Sequence, residues 1–198
     1  MAVICNPNNP TGHVFPPELL LDALQRLTSH QGWLIVDEAF MDATPESSLA
    51  AFTGQPGLIV LRSLGKFFGL AGARIGFTLA WPELLERLEA SLGPWPIGGP
   101  ARLAARLALQ DTAWQADTRQ QLQDNAARLR TLLTKHGLPP RGGSALFQWV
   151  VAPHAATIHE RLARRGILTR LFTEPASLRF GLPGTEQEWV RLAKALED

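Results

Sequence analysis

Three short apolar runs, each stopped by a polar turn, constrain the fold of this chain more than any other feature. Val3-Ile4-Cys5 runs into Asn6-Pro7-Asn8-Asn9-Pro10-Thr11-Gly12, Trp33-Leu34-Ile35-Val36 stops at Asp37-Glu38, and residues 58–61 stop at Arg62-Ser63. Runs of this length with β-branched members fit buried strands, and turn-forming residues fix where they end. Between the first two, Pro16 and Pro17 open a helix whose Leu20, Leu24 and Leu27 recur at spacings of four and three, ending near Gly32. Strand, helix, strand in that order predicts an α/β fold with a mainly parallel sheet buried on both faces. Because the first strand starts almost at Met1, the chain is expected to be cut short at its front.

Residues 74–80 predict a further strand, and Pro82 begins a helix with Leu84, Leu85 and Leu88 turned inward. Residues 93–100, with Pro94, Pro96 and Pro100 among three glycines, interrupt the pattern and mark a candidate hinge. The Ala, Leu, Gln and Arg of residues 101–136 predict one long helix, or two joined near Asp111-Thr112. Beyond it the pattern gives strands at 145–151, 167–170 and 177–180 and helices at 154–165 and 186–196, a small α+β unit. The expected division is therefore 1–95, a connecting helical segment 96–136, and 137–198.

Composition narrows the function classes. Lys plus Arg number 19 against 18 Asp plus Glu, a formal charge of +1, which argues against a nucleic-acid partner held by bulk charge. No apolar stretch approaches the roughly 20 residues a membrane span needs, and no basic start with an apolar core precedes a cleavage site. The single Cys5 forms no intramolecular disulfide, which fits a reducing compartment, so a cytoplasmic protein is expected. His154 and His159, five apart, do not share a helical face and no thiolate cluster exists, so no metal site is expected.

The strand ends carry the candidate chemistry: Asn9, Asp37 and the Ser63-Leu64-Gly65-Lys66 turn all lie where an open α/β sheet binds ligands. Taken singly, each has a plain structural reading, a shaped turn, a helix cap or a solvated lysine. A P-loop is excluded, because Phe67 follows Lys66 and Val60 stands at its first glycine. Ser63-x-x-Lys66 matches one element of the penicillin-binding nucleophile pattern, but that pattern's other two elements are missing.

Together with Asp37-Glu38-Ala39-Phe40 and Arg74, these motifs resemble, in order, those of the class I/II pyridoxal-phosphate aminotransferases. Within that superfamily the chain is most similar to the threonine-phosphate decarboxylases, through Asp37 to Asp42, Leu61 to Phe68, Pro94-Trp95 and Ala108 to Trp114. The resemblance implies an incomplete PLP-transferase fold of type I: part of the large cofactor domain plus the small C-terminal α+β domain. It implies pyridoxal 5'-phosphate as cofactor, attached to Lys66. Asp37 would face the protonated pyridine nitrogen, Asn9 the ring's 3-oxygen and the substrate carboxylate, and Ser63 and Arg74 the phosphate. Arg179, in Ser177-Leu178-Arg179-Phe180-Gly181, matches the family's carboxylate-binding arginine.

Two departures matter. Relatives usually carry Tyr where this chain has Phe40, and the chain contains no Tyr, which favours a decarboxylase over a histidinol-phosphate-type aminotransferase. The family's long front segment, with a Gly-rich phosphate turn and dimer contacts, has no counterpart before Asn6. The implied activity is decarboxylation of O-phospho-L-threonine for cobalamin synthesis by a homodimer, with this chain inactive alone. The alternatives are an aminotransferase on the same scaffold and a non-catalytic fragment.

Overall fold

The computed structural model describes residues 1–197, which divide into two compact units. The first comprises Met1–Asn9 and Val14–Asp117; the second comprises Pro10–His13 and the chain from Thr118 onward. The boundary thus falls inside the segment 96–136 expected as a connector.

In the first unit, β1 (Ala2–Cys5), β2 (Leu34–Asp37), β3 (Leu58–Ser63) and β4 (Gly76–Leu79) form one sheet in that order. The first three are parallel, with Cys5 opposite Asp37 and Asp37 opposite Leu61, so their carboxyl ends share one edge. β4 is antiparallel to β3, which makes the sheet mixed; alternation in sequence sets the faces of a strand but not its direction. The chain links β2 to β3 through 3₁₀ turns at Met41–Ala43, Pro45–Ser47 and Ala50–Phe52.

Alternation sorts the two faces. Leu34, Val36, Leu58 and Val60 are fully buried with Leu49 against Leu20 and Leu24 of α1 (Pro17–Thr28), each such side chain contributing about 1.5–3 kcal/mol. The intervening Ile35, Ile59 and Leu61 pack instead with Leu84 and Leu88 of α2 (Pro82–Leu92). By the same alternation Glu38 and Arg62 continue the α1 face, while Asp37 and Ser63 continue the α2 face. The predicted helical stretch is two helices, α3 (Gly99–Gln110) and α4 (Thr112–Lys135), separated at Asp111, whose Oδ1 accepts the Trp114 N–H at 3.0 Å.

In the second unit, β5 (Gly142–Ser144), β6 (Phe147–Val151), β7 (Arg170–Thr173) and β8 (Ala176–Gly181) form an antiparallel sheet in the order β5-β6-β8-β7. Leu129 and Leu133 of α4, Leu162 of α5 (Ala155–Arg164) and Trp189 and Leu192 of α6 (Glu186–Glu197) close over Val150, Leu178 and Phe180. The strand expected at 167–170 begins only at Arg170. β5 was not expected, since two glycines carry no strand signal. Its backbone lies so close to the Thr11-Gly12 turn that a Cβ on Gly12, at φ +73°, would stand 1.9 Å from the Gly143 carbonyl oxygen.

Candidate functional site

The carboxyl edge of β1 and β2 is held by hydrogen bonds that also shape the polar turns. The carbonyl of Asp37 accepts the Asn6 N–H at 2.9 Å, and the buried Asn6 amide clamps the Phe15 backbone through Oδ1 at 2.9 Å and Nδ2 at 3.2 Å. Asp37 Oδ1 accepts the Ala39 N–H at 2.9 Å, which fixes its carboxylate at the start of the turn. Cys5, its strand neighbour, lies between Asp37 and the Asn9 turn. Burial pushes the Cys5 thiol above its ordinary pKa, a hydrogen bond from the Asn9 backbone lowers it, and the Asp37 carboxylate raises it. The Asn9 backbone and the Asp37 carboxylate thus both lie beside Cys5.

This arrangement makes Cys5 a reporter. Its raised pKa leaves less thiolate at neutral pH than a free cysteine has, so alkylation by iodoacetamide is expected to be slow and to speed up as pH rises. Asp37→Asn removes a negative charge that disfavours the thiolate, lowers the thiol pKa, and should accelerate labelling at fixed pH. Equal rates in the two proteins would mean that the Asp37 carboxylate does not face Cys5.

The turn after β3 supplies the second group. Ser63 Oγ accepts the Gly65 N–H at 3.1 Å and closes the turn that presents Lys66. Phe67 and Phe68, both buried, meet edge to face at 5.0 Å and lean on Trp114 at 5.6 and 5.9 Å, which anchors the loop just past the lysine. Lys66 itself is exposed, with Nζ 5.6 Å from the centroid of the buried Phe40 ring, three residues beyond Asp37. A polar cavity of about 310 Å³ is lined by Ser63, Gly65, Lys66, Ala71, Arg74 and Gly76 among others. Arg74 adopts the left-handed region at φ +54°, uncommon for a residue with a side chain, and its Nη1 donates to the Ala71 carbonyl at 3.1 Å.

On the opposite face of the same strand ends lies a charged cluster to which no role was assigned from sequence. Glu38, fully buried, accepts the Leu49 N–H at 2.7 Å, the Ser48 hydroxyl at 2.5 Å and Arg62 Nη1 at 3.2 Å. Arg62 Nη1 also reaches Ser48 Oγ at 3.1 Å, and its Nη2 donates to Asp42. The detectable signal was charge at alternation positions where an apolar residue would continue the α1 face.

Arg179 stands in the second unit on β8, between Trp149 and Arg170 in the sheet, with its guanidinium 5.2 Å from the Phe147 ring centroid. Burial lowers its pKa, and the charge of Arg170 adds to that effect. Among the described residues no group of three or more His, Cys, Asp or Glu side chains could hold a metal ion, and no helix is long and apolar enough to cross a membrane.

The donor set suits a phosphorylated pyridine aldehyde. The cavity offers a hydroxyl, an ammonium and a guanidinium, the groups that bind a phosphate dianion or react with an aldehyde, and Asp37 offers a carboxylate for a protonated ring nitrogen.

Comparison with known proteins agrees. The model of the family Aminotransferase class I and II matches residues 1–196. The threonine-phosphate decarboxylase of Pseudomonas aeruginosa is 58% identical over 196 residues, covering 99% of this chain and 59% of that protein. The threonine-phosphate decarboxylase of a Sinorhizobium species is 42% identical over 201 residues, with 99% and 59% covered. Among solved structures, the histidinol-phosphate aminotransferase of Sinorhizobium meliloti in complex with pyridoxal-5'-phosphate matches with a TM-score of 0.85 and 28% identity, over 98% of this chain and 55% of that one. The chain therefore spans less than two thirds of the length of these relatives, and the fold is the corresponding part of the PLP-dependent aminotransferase fold. The family and the cofactor-bound structure imply pyridoxal phosphate as the cofactor.

Proposed function

We propose, from the premise that the chain belongs to the aminotransferase class I and II family, that it forms the lysine-bearing part of a pyridoxal-phosphate decarboxylase. Its substrate is L-threonine O-3-phosphate and its product (R)-1-amino-2-propanol O-2-phosphate, a building block for cobalamin. The observation that carries the cofactor role is the single cavity shared by Ser63, Lys66 and Arg74 at the strand ends. Support for the substrate comes from the 58% identity to a threonine-phosphate decarboxylase and from Phe40, which places an apolar ring against the lysine.

Bound pyridoxal phosphate supplies an electron sink for the pair released at the substrate Cα. The protein's residues do the rest. Ser63 and Arg74 hold the phosphate, Arg74 by charge-assisted hydrogen bonds. Asp37 would supply the carboxylate that keeps the pyridine nitrogen protonated. Asn9 would donate to the 3-oxygen, while the substrate-carboxylate role of Arg179 rests on its match to the family motif. Lys66 would hold the cofactor through Nζ and, once the substrate's amine has taken its place, would deliver from the freed Nζ the proton that replaces carbon dioxide at Cα. A homodimer in the cytoplasm completes the reading.

An aminotransferase on this scaffold is the second reading, favoured by the 0.85 TM-score to a histidinol-phosphate aminotransferase. The two differ in product. With O-phospho-L-threonine, a chain extended to the length of its relatives is expected to release carbon dioxide and form no 2-oxo acid, while this chain alone shows no turnover above background. A 2-oxo acid would select the aminotransferase. Equal rates at both lengths would show that these residues suffice without further phosphate contacts.

A further inference from the structure

We propose that Arg62, with Glu38 and Asp42, is a positioning unit that fixes Asp37 and Ser63 from behind the sheet. Glu38 follows Asp37 directly and Arg62 precedes Ser63 directly, and alternation places each pair on opposite faces. The Arg62 guanidinium spans both carboxylates and the Ser48 hydroxyl, so one planar fork ties the end of β2, the first 3₁₀ turn and the end of β3 together. The Glu38 N–H, bonded to the Leu61 carbonyl at 2.8 Å, extends the ladder at the same point. A buried ionic cluster is weak evidence for stability, since apolar replacements often do as well. What such a cluster does supply is direction: each engaged oxygen of Glu38 restrains the backbone just past β2, which carries the adjacent Asp37 and the Ala39 N–H that holds its carboxylate. Arg62 precedes Ser63 directly in the chain, so the cluster acts on the cavity through the backbone of β3.

The proposal rests on reading Asp37 and Ser63 as cofactor ligands, and the test separates the two. Backbone amide exchange is followed by NMR in the chain and in Arg62→Lys, which keeps the charge but loses the fork. The Ala39 and Gly65 amides, donors to Asp37 Oδ1 and Ser63 Oγ, are expected to exchange about tenfold faster or more, while the Leu34 amide at the far end of β2 keeps its rate. A general loss of stability would accelerate all three alike and would overturn the proposal, as would unchanged Ala39 and Gly65 rates. If Arg62→Lys does not fold, the neutral triple variant Arg62→Met, Glu38→Gln, Asp42→Asn serves instead, because it leaves no unpaired buried charge. It should recover the wild-type melting temperature yet keep the fast Ala39 and Gly65 exchange; slow exchange there would refute positioning. Pyridoxal phosphate titration of Asp37→Asn and Ser63→Ala supplies the other arm. Unchanged affinity in both would sink the ligand reading while leaving the exchange result to decide positioning.

Discussion

Lys66→Ala, made in a chain extended to the relatives' length, should lower decarboxylation of O-phospho-L-threonine by about 10⁴-fold or more, since it removes both the attachment point and the proton donor. Lys66→Arg should fail equally, because a guanidinium keeps the charge but neither gives up a proton nor attacks an aldehyde. The other lysines cannot substitute. Lys135 ends α4 and Lys194 lies in α6, both on helices of the second unit and outside the cavity lining. A loss of kcat/KM smaller than about tenfold in Lys66→Ala would remove the lysine from the reaction.

Asp37→Asn is expected to be nearly as severe. With the cofactor bound, Asp37 would pair with the ring nitrogen away from water, and removing one partner of such a charge pair costs about 3–5 kcal/mol, which corresponds to about 10²- to 10⁴-fold in rate. The side chain keeps its size, and the Asn Oδ1 can still accept the Ala39 N–H, so the turn should persist and the loss should appear in kcat with the melting temperature little changed. Asp37→Glu retains the charge and should recover part of the activity. Full activity in Asp37→Asn would show that the carboxylate does not serve the ring nitrogen.

Much of this site was legible from residues alone, for a definable reason. The apolar runs at 33–36 and 58–61 end where β2 and β3 end within two residues, and a ligand site at parallel strand ends follows from the architecture. Asn9, Asp37, Ser63 and Lys66 follow from the strand ends alone, whereas Arg74 was supplied by the family resemblance; the structure places the five in two groups beside that edge. Pairings between distant positions were not legible. Arg62 meets Glu38 across 24 residues and Asp42 across 20, and neither spacing has a local period that reveals it. The antiparallel direction of β4 and the existence of β5 were hidden likewise, the first because period-two alternation is blind to direction, the second because Gly142 and Gly143 form a strand where a neighbouring turn packs on them.

Covalent trapping tests the central assignment most directly. The chain is incubated with pyridoxal phosphate, reduced with borohydride, digested and mapped by mass spectrometry. The label is expected on Lys66, the one lysine that lines the cavity shared with Ser63 and Arg74. A label confined to Lys135 or Lys194, or one spread evenly over the lysines, would contradict the assignment of this cavity as the cofactor site.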